Sequence, residues 1–204
     1  MSEPIKKPNQ TPESYTPKEM PEIMQLAQAL CVEKAVEAFS HGRATFEVVE
    51  RPEVLWVGTL AWAENNNDEP DMGALLKRYQ ALCSPAPKQA RINPDWDAAI
   101  SINYGRGGKA AKGIMYAQET YSKEQDSRYD LFTQPAGLYL RVLNDKKAAK
   151  LLGKKTCETY ELFGLLKTVA PQYGYAHNDN INVEIEYHNY KNGTWYAYIP
   201  VKQP

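Results

Sequence analysis

One order of segments occurs twice along this 204-residue chain, and each time a proline breaks its opening pair of strands. In the first pass, residues 45–51 and 54–62 are β-rich and are separated by Pro52. A segment with Met72, Leu75, Leu76, Tyr79 and Leu82 on one helical face follows, stopped by Pro85 and Pro87. Residues 98–104 and 113–121 then read as strands joined through Gly105, Gly107 and Gly108. The second pass runs over 129–132, a corner at Pro135, a strand over 137–143, a helix over 157–169, and strands over 183–189 and 194–201. Proline lacks the amide proton that a strand ladder needs, so Pro52 and Pro135 mark corners rather than strand interiors. Both passes spell strand, strand, helix, strand, strand, and both helices carry Leu-Leu-Lys, at Leu75-Leu76-Lys77 and Leu165-Leu166-Lys167. The economical reading is an α+β chain of two duplicated halves offset by about 85 to 90 residues, a spacing longer than that of solenoid repeats. Halves related in this way meet in a groove, a common location for ligands.

Ahead of the first pass lie five of the 14 prolines, at Pro4, Pro8, Pro12, Pro17 and Pro21. Residues 1–16 hold too little apolar surface to offset the entropy of ordering and read as a disordered tail. From Thr16 the signals change. Thr16 suits a cap and Pro17 a first helical turn, while Ile23, Leu26, Leu30, Cys31, Ala35 and Ala38 recur at helical spacing, so the sequence predicts a helix over 17–42 ended by Gly42. The domain proper then covers 45–202, with a first repeat over 45–121 and a second over 128–202.

Charge and cysteine usage narrow the partners. The 24 Lys and Arg residues are offset by 25 Asp and Glu, and a net charge of -1 supplies none of the basic excess that draws a phosphate backbone, so direct nucleic-acid binding is not expected. Cys31, Cys83 and Cys157 form no CxxC pair and no even-numbered framework, which argues against a zinc ribbon, a bound metal or a disulfide scaffold and suits a reducing cytoplasm. No apolar run of signal-peptide length opens the chain, and the longest apolar stretch, residues 54–62, is far short of the roughly 20 residues of a membrane helix. The glycine-rich segment 104–110 lacks the Ser or Thr of a phosphate loop, and no HExxH or GxSxG occurs, so no cofactor is expected. Lys146, Lys147, Lys150, Lys154 and Lys155 read as a flexible, solvated connection.

What stands out is 14 Tyr and 4 Trp against only 4 Phe: most rings here carry a polar handle and suit a half-wet pocket. On the strand 183–189 the pleat sends Glu184, Glu186 and His188 to one face and Val183, Ile185 and Tyr187 to the other. A carboxylate pair beside an imidazole suits either the neutralisation of a cationic ligand or general-base work, and the same alternation suits a solvated sheet face. On the last strand Tyr196 and Tyr198 share a face opposite Trp195, Ala197, Ile199 and Val201. Trp56 and Trp62 share one on the strand 54–62, and Tyr104 and Tyr116 flank the glycine-rich turn.

These residues resemble the GyrI-like, or gyrase-inhibitor-like, small-molecule-binding domain, also found as the effector domain of AraC-type and MerR-type regulators. The matching pieces are Val48-Val49-Glu50-Arg51-Pro52 leading into Trp56-Val57-Gly58, Ala136-Gly137-Leu138-Tyr139 opening the second repeat, Glu184-Ile185-Glu186-Tyr187, and Tyr198-Ile199-Pro200-Val201. The resemblance implies one curved antiparallel sheet with two helices on its convex side and an aromatic, acid-containing groove on the other. It implies a stand-alone binding module for an apolar, aromatic or cationic small molecule, with Trp56, Tyr116, Tyr139 and Tyr196 as walls and Glu186, or Glu184, as the anchor. Transcription regulation or drug and toxin resistance would be its setting. Two alternatives come with it: a hydrolase of strained, cyclopropane-bearing aromatic toxins using Glu184, Glu186 and His188, and a protein-interaction module docking a partner or a second copy through the N-terminal helix.

Overall fold

The computed structural model describes residues 33–65, 68–83, 95–104, 110–120, 123 and 125–203. Among these the chain order is β1 (Lys34–His41), β2 (Ala44–Arg51), β3 (Val54–Trp62), α1 (Met72–Cys83), β4 (Trp96–Ile102), β5 (Gly113–Thr120), β6 (Asp130–Gln134), β7 (Gly137–Leu143), α2 (Lys146–Leu151), α3 (Leu162–Val169), β8 (Ala176–His177), β9 (Val183–Asn189) and β10 (Thr194–Lys202). The fold is α+β. All strand pairs are antiparallel, in the order β1-β2-β7-β10-β9-β4-β5-β3-β6, with the short β8 against β10.

That order cannot lie flat. β2 and β3 stand six places apart in it, about 29 Å across a flat sheet, yet only Pro52 and Glu53 join them, a link of about 11 Å at most. β6 and β7 are likewise six places apart and joined by Pro135 and Ala136. The two corners lie side by side in register: Arg51 pairs with Gly137, and three residues on, Val54 pairs with Gln134. The sheet therefore curls until its ends meet. Residues directly opposite in paired strands share a face, so the register also shows what the corners do to the pleat. Val49 and Arg51 of β2 point inward, and so do Val54 and Trp56 of β3, although an uninterrupted strand would alternate Arg51 with Val54. Each corner resets the alternation by one residue, so both half-sheets present their apolar sides to the same interior.

Two cores follow. On the outer face Phe46, Val48, Leu140, Val142 and Ile199 pack under α2 and α3 against Ala148, Leu162, Phe163 and Leu166. α1 covers β3 and β5 with Leu75 and Tyr79, leaving Met72 and Leu76 exposed. On the inner face Trp56, Ile100, Met115, Tyr139, Ile185 and Tyr198 form the second core, all of them fully buried.

The strands, both proline corners, and helices α1 and α3 lie close to where the sequence puts them; two segments do not. Residues 34–41, expected as the end of a helix, form β1, which turns at Gly42 (φ 60°) and Arg43 to pair with β2 from His41↔Ala44 onward. Ala35 and Ala38, which set the helical spacing, are exposed, whereas Phe39 stacks on Tyr173 at 3.8 Å between centroids. Strand pairing and that ring contact override the weak helical pattern of a small-residue run. The lysine-rich connection contains α2, capped by Asp145, whose carboxylate accepts from the backbone N–H groups of Lys147 and Ala148, and held down by buried Ala148 and Ala149. The predicted tail over 1–16, the rest of the predicted helix up to residue 32, and Gly105, Gly107 and Gly108 lie outside the described residues.

β3 and β5 approach closely at Gly58, where a Cβ would stand 1.9 Å from the carbonyl oxygen of Tyr116 and 2.7 Å from the Cα of Ala117. Neither backbone atom can yield without parting the strands. Gly58→Ala is expected to lower stability by about 3 kcal/mol, read as a lower urea midpoint. An unchanged midpoint would contradict the close approach.

Candidate functional site

Arg51 ends β2 immediately before Pro52 and projects into the interior. Its Nη2 donates to Glu119 Oε1 of β5 at 3.0 Å, and its Nε stands 3.7 Å from Glu33 Oε2. β2 and β5 are five places apart in the sheet, so this ion pair crosses the closed interior rather than running along it. Both side chains are about 3% exposed. The Arg51 guanidinium carbon lies 4.9 Å from the ring centre of Tyr198 and 5.7 Å from that of Tyr187, within range of a cation–π attraction on two rings. Burial opposes its charge, but Tyr198, Glu119 and Glu33 outweigh burial and raise its pKa.

A second guanidinium sits beside the first. Arg141 of β7 donates through Nε to Glu47 Oε2 at 2.7 Å and through Nη1 to the Tyr198 hydroxyl at 3.1 Å, and it also pairs with Glu33. Its carbon stands 4.8 Å from the ring centre of Tyr196 and 5.9 Å from that of Tyr198. The rings continue as a wall: Trp96 stacks on Tyr187 at 4.5 Å and faces Tyr196 at 6.4 Å, and Trp56 meets Tyr187 edge-on at 5.9 Å. At the corners, Trp56 Nε1 donates to Gln134 Oε1 at 3.0 Å and the Tyr139 hydroxyl donates to the Pro135 carbonyl at 3.0 Å. Trp96, Tyr196 and Phe132 remain partly exposed at the rim.

The sequence-derived candidates fall into two groups separated by the thickness of the sheet. Trp56, Tyr139 and Tyr196 share the inner face. Tyr116, Glu184, Glu186 and His188 lie on the helix-bearing face: Ala99 pairs with Tyr116 on one side and Glu186 on the other, and Ala197, directly opposite Glu186, belongs to the core beneath α3. There Glu184 pairs with Lys167 of α3, His188 Nε2 stands 3.7 Å from Glu186 Oε2, and Tyr116 packs 5.9 Å from Tyr79. Neither Glu184 nor Glu186 therefore anchors a cation against the inner rings, as a single groove would require. The acids beside those rings are Glu119 and Glu33. Arg51, Glu119, Arg141, Trp96 and Tyr187 are not among the sequence-derived site residues; the available signal was Arg141, the one charged residue of the otherwise apolar strand Gly137–Leu143.

Burial, followed by Glu119, holds the Tyr187 hydroxyl well above its ordinary pKa, and burial followed by Glu33 does the same for Tyr198. Burial also pushes Tyr139 up to about 12, against the opposing effects of Gln134 and Arg51.

No family model matches this sequence. No curated protein matches it either. Solved structures do. One described as a bacterial transcription regulation protein from Staphylococcus aureus MU50 superposes with a TM-score of 0.50 at 12% identity, over 77% of this chain and 97% of that one. This likeness is one of fold. Also similar are an integron cassette protein of Vibrio cholerae (TM-score 0.49, 13% identity, 82% of this chain and 100% of that one) and SAV2435 bound to tetraphenylphosphonium (TM-score 0.46, 11% identity, 77% and 93%). Among the described residues, no helix is long and apolar enough to cross a membrane, and no group of three or more His, Cys, Asp or Glu side chains is placed to hold a metal ion.

Two outcomes follow from the buried charges. Arg51→Met or Glu119→Gln alone strands a partner in the interior and is expected to cost about 3–5 kcal/mol by chemical denaturation, whereas the double substitution costs less than either. The raised tyrosines contribute stability that is complete below their ordinary pKa of 10 and is lost as pH climbs toward about 12. The tyrosinate absorbance of the buried rings and the circular dichroism are therefore expected to change together, after the exposed tyrosines have ionised; ionisation of the buried rings alongside the exposed ones in a folded protein would contradict the burial.

Proposed function

We propose that this chain is a small-molecule-binding module whose ligand lies against the inner aromatic wall of Trp96, Tyr187, Tyr196 and Tyr198. The observation that carries the reading is the Arg51–Glu119 pair among those rings. A desolvated ion pair is usually no more stable than apolar residues of the same volume, so charge kept at the centre of an apolar interior points to recognition. The described interior belongs to residues 45–202, which we read as one domain built by duplication. Once β1 is set aside, the sheet order supports this: reading inward from either end, it meets first, second, fourth and third strands of the two passes, with β9 and β4 central. The fold shared with a chain described as a transcription regulator fits a sensing role in regulation or in resistance to toxic compounds.

Planar aromatic compounds are expected to quench the tryptophan fluorescence of the protein. Trp96→Ala and Tyr196→Ala, both at the partly exposed rim, are each expected to weaken binding by about tenfold, the order of one stacking contact. Absence of quenching and of binding heat across neutral, cationic and anionic aromatics would end the reading.

The hydrolase reading draws on Glu186, His188 and Tyr116 standing together on the helix-bearing face, where burial and Glu186 raise the pKa of Tyr116. On that reading, Glu186→Gln abolishes turnover of a cyclopropane-bearing aromatic alkylator while aromatic binding at the inner wall is unchanged. Failure of the unmodified protein to turn over such substrates in excess would dismiss it.

A further inference from the structure

We infer that the inner wall selects planar aromatic ligands bearing a hydrogen-bond acceptor, a carboxylate or a carbonyl oxygen, and discriminates against organic cations. This rests on the binding reading above and names the ligand class for the same site.

Two independent observations carry it. First, the place of a cation on the ring faces is already taken from within the chain. Arg51 lies over Tyr187 and Tyr198, and Arg141 over Tyr196 and Tyr198. The carboxylates that would neutralise an incoming cation are engaged by the same groups: Glu119 with Arg51, Glu47 with Arg141, and Glu33 with both. An organic cation arriving here meets like charge and must displace a guanidinium that is tethered and already paired.

Second, a buried donor is left over beside the rings. Among the described residues, Arg51 Nη1 is a buried N–H donor on the inner face without a hydrogen-bond partner. The orphaned side-chain atoms Thr59 Oγ1, Gln118 Oε1 and His188 Nε2 belong to the helix-bearing face, as their pairing positions show. Buried donors left unpaired are costly, and a ligand oxygen is the group that relieves them. A planar guanidinium with its Nη1 amino group to spare is suited to a carboxylate or carbonyl oxygen, and rings flanking it supply the apolar contact for the rest of the molecule.

The test holds the ring system constant and changes only its substituent. 2-Naphthoate, 2-naphthamide and 2-naphthylmethylammonium are titrated against the full chain by tryptophan fluorescence and calorimetry. The naphthoate and the amide are expected to bind at least about tenfold more tightly than the ammonium, the scale set by meeting or stranding one buried polar group. In the Arg51→Gln, Glu119→Gln double substitution, which removes both charges and strands neither, the ammonium is expected to come within about threefold of the naphthoate. If the ammonium binds the unmodified protein as tightly as the other two, the acceptor selectivity is overturned while the aromatic-binding reading stands. If none of the three binds, that reading falls and the selectivity with it. A double variant that binds but keeps the original ranking overturns the role given to Arg51. Should the variant not fold, the ranking in the unmodified protein decides by itself.

Discussion

Pro52-Glu53 and Pro135-Ala136 are each too short to span a flat sheet, so the strands they join must come together by curling, and the side chains between them are sealed from water. Everything particular to this interior depends on those two links. They bring β2 across to β5, so that Arg51 meets Glu119, and they turn Trp56 and Tyr139 to the same side although neither strand's own alternation would relate them. The second corner is tied by a ring from each half: Trp56 donates to Gln134 and Tyr139 to the Pro135 carbonyl. Shape and chemistry are therefore set together, because the residues that close the sheet also line what it encloses.

A closed interior of this size would ordinarily be filled with apolar side chains. Here the inner core combines Ile100, Met115 and Ile185 with two guanidinium groups, their carboxylates and four tyrosines. Arginine suits this environment better than lysine: its flat, weakly hydrated head lies on a ring while its edge is left to form hydrogen bonds. The tyrosines serve both demands, giving a face to the cation and a hydroxyl to its partners, as Tyr198 does with Arg141. The abundance of tyrosine over phenylalanine in the chain has its physical account in this double use.

Much of the architecture was legible because strand alternation, proline corners and helical stripes are local signals. The corners at Pro52 and Pro135, the helix around Leu75 and Tyr79, and the division of β9 into a Glu face and a Tyr face all follow from short windows of sequence. The relation between strands is not local. Alternation states that Glu186 and Tyr187 point opposite ways, but only the register of β9 with β10 and β4 shows that Tyr187, and not Glu186, stands with Trp56. For that reason Trp56, Tyr139 and Tyr196 share the inner face while Tyr116 and Glu186 lie on the other. β1 escaped for a different reason: alanines at 35 and 38 satisfy a helical period and an exposed strand equally well, and the contact that decides, Phe39 on Tyr173, joins residues far apart in the chain.

β1 adds to the outer edge of β2 and is not one of the strands that the corners bring together. Most of its side chains face water, yet the residue just before it, Glu33, reaches both Arg51 and Arg141. The residue leading into an edge strand thus supplies the carboxylate shared by the two interior cations. Displacing Glu33 would make the interior more positive, so the electrostatic potential felt by a bound molecule is set in part from the periphery.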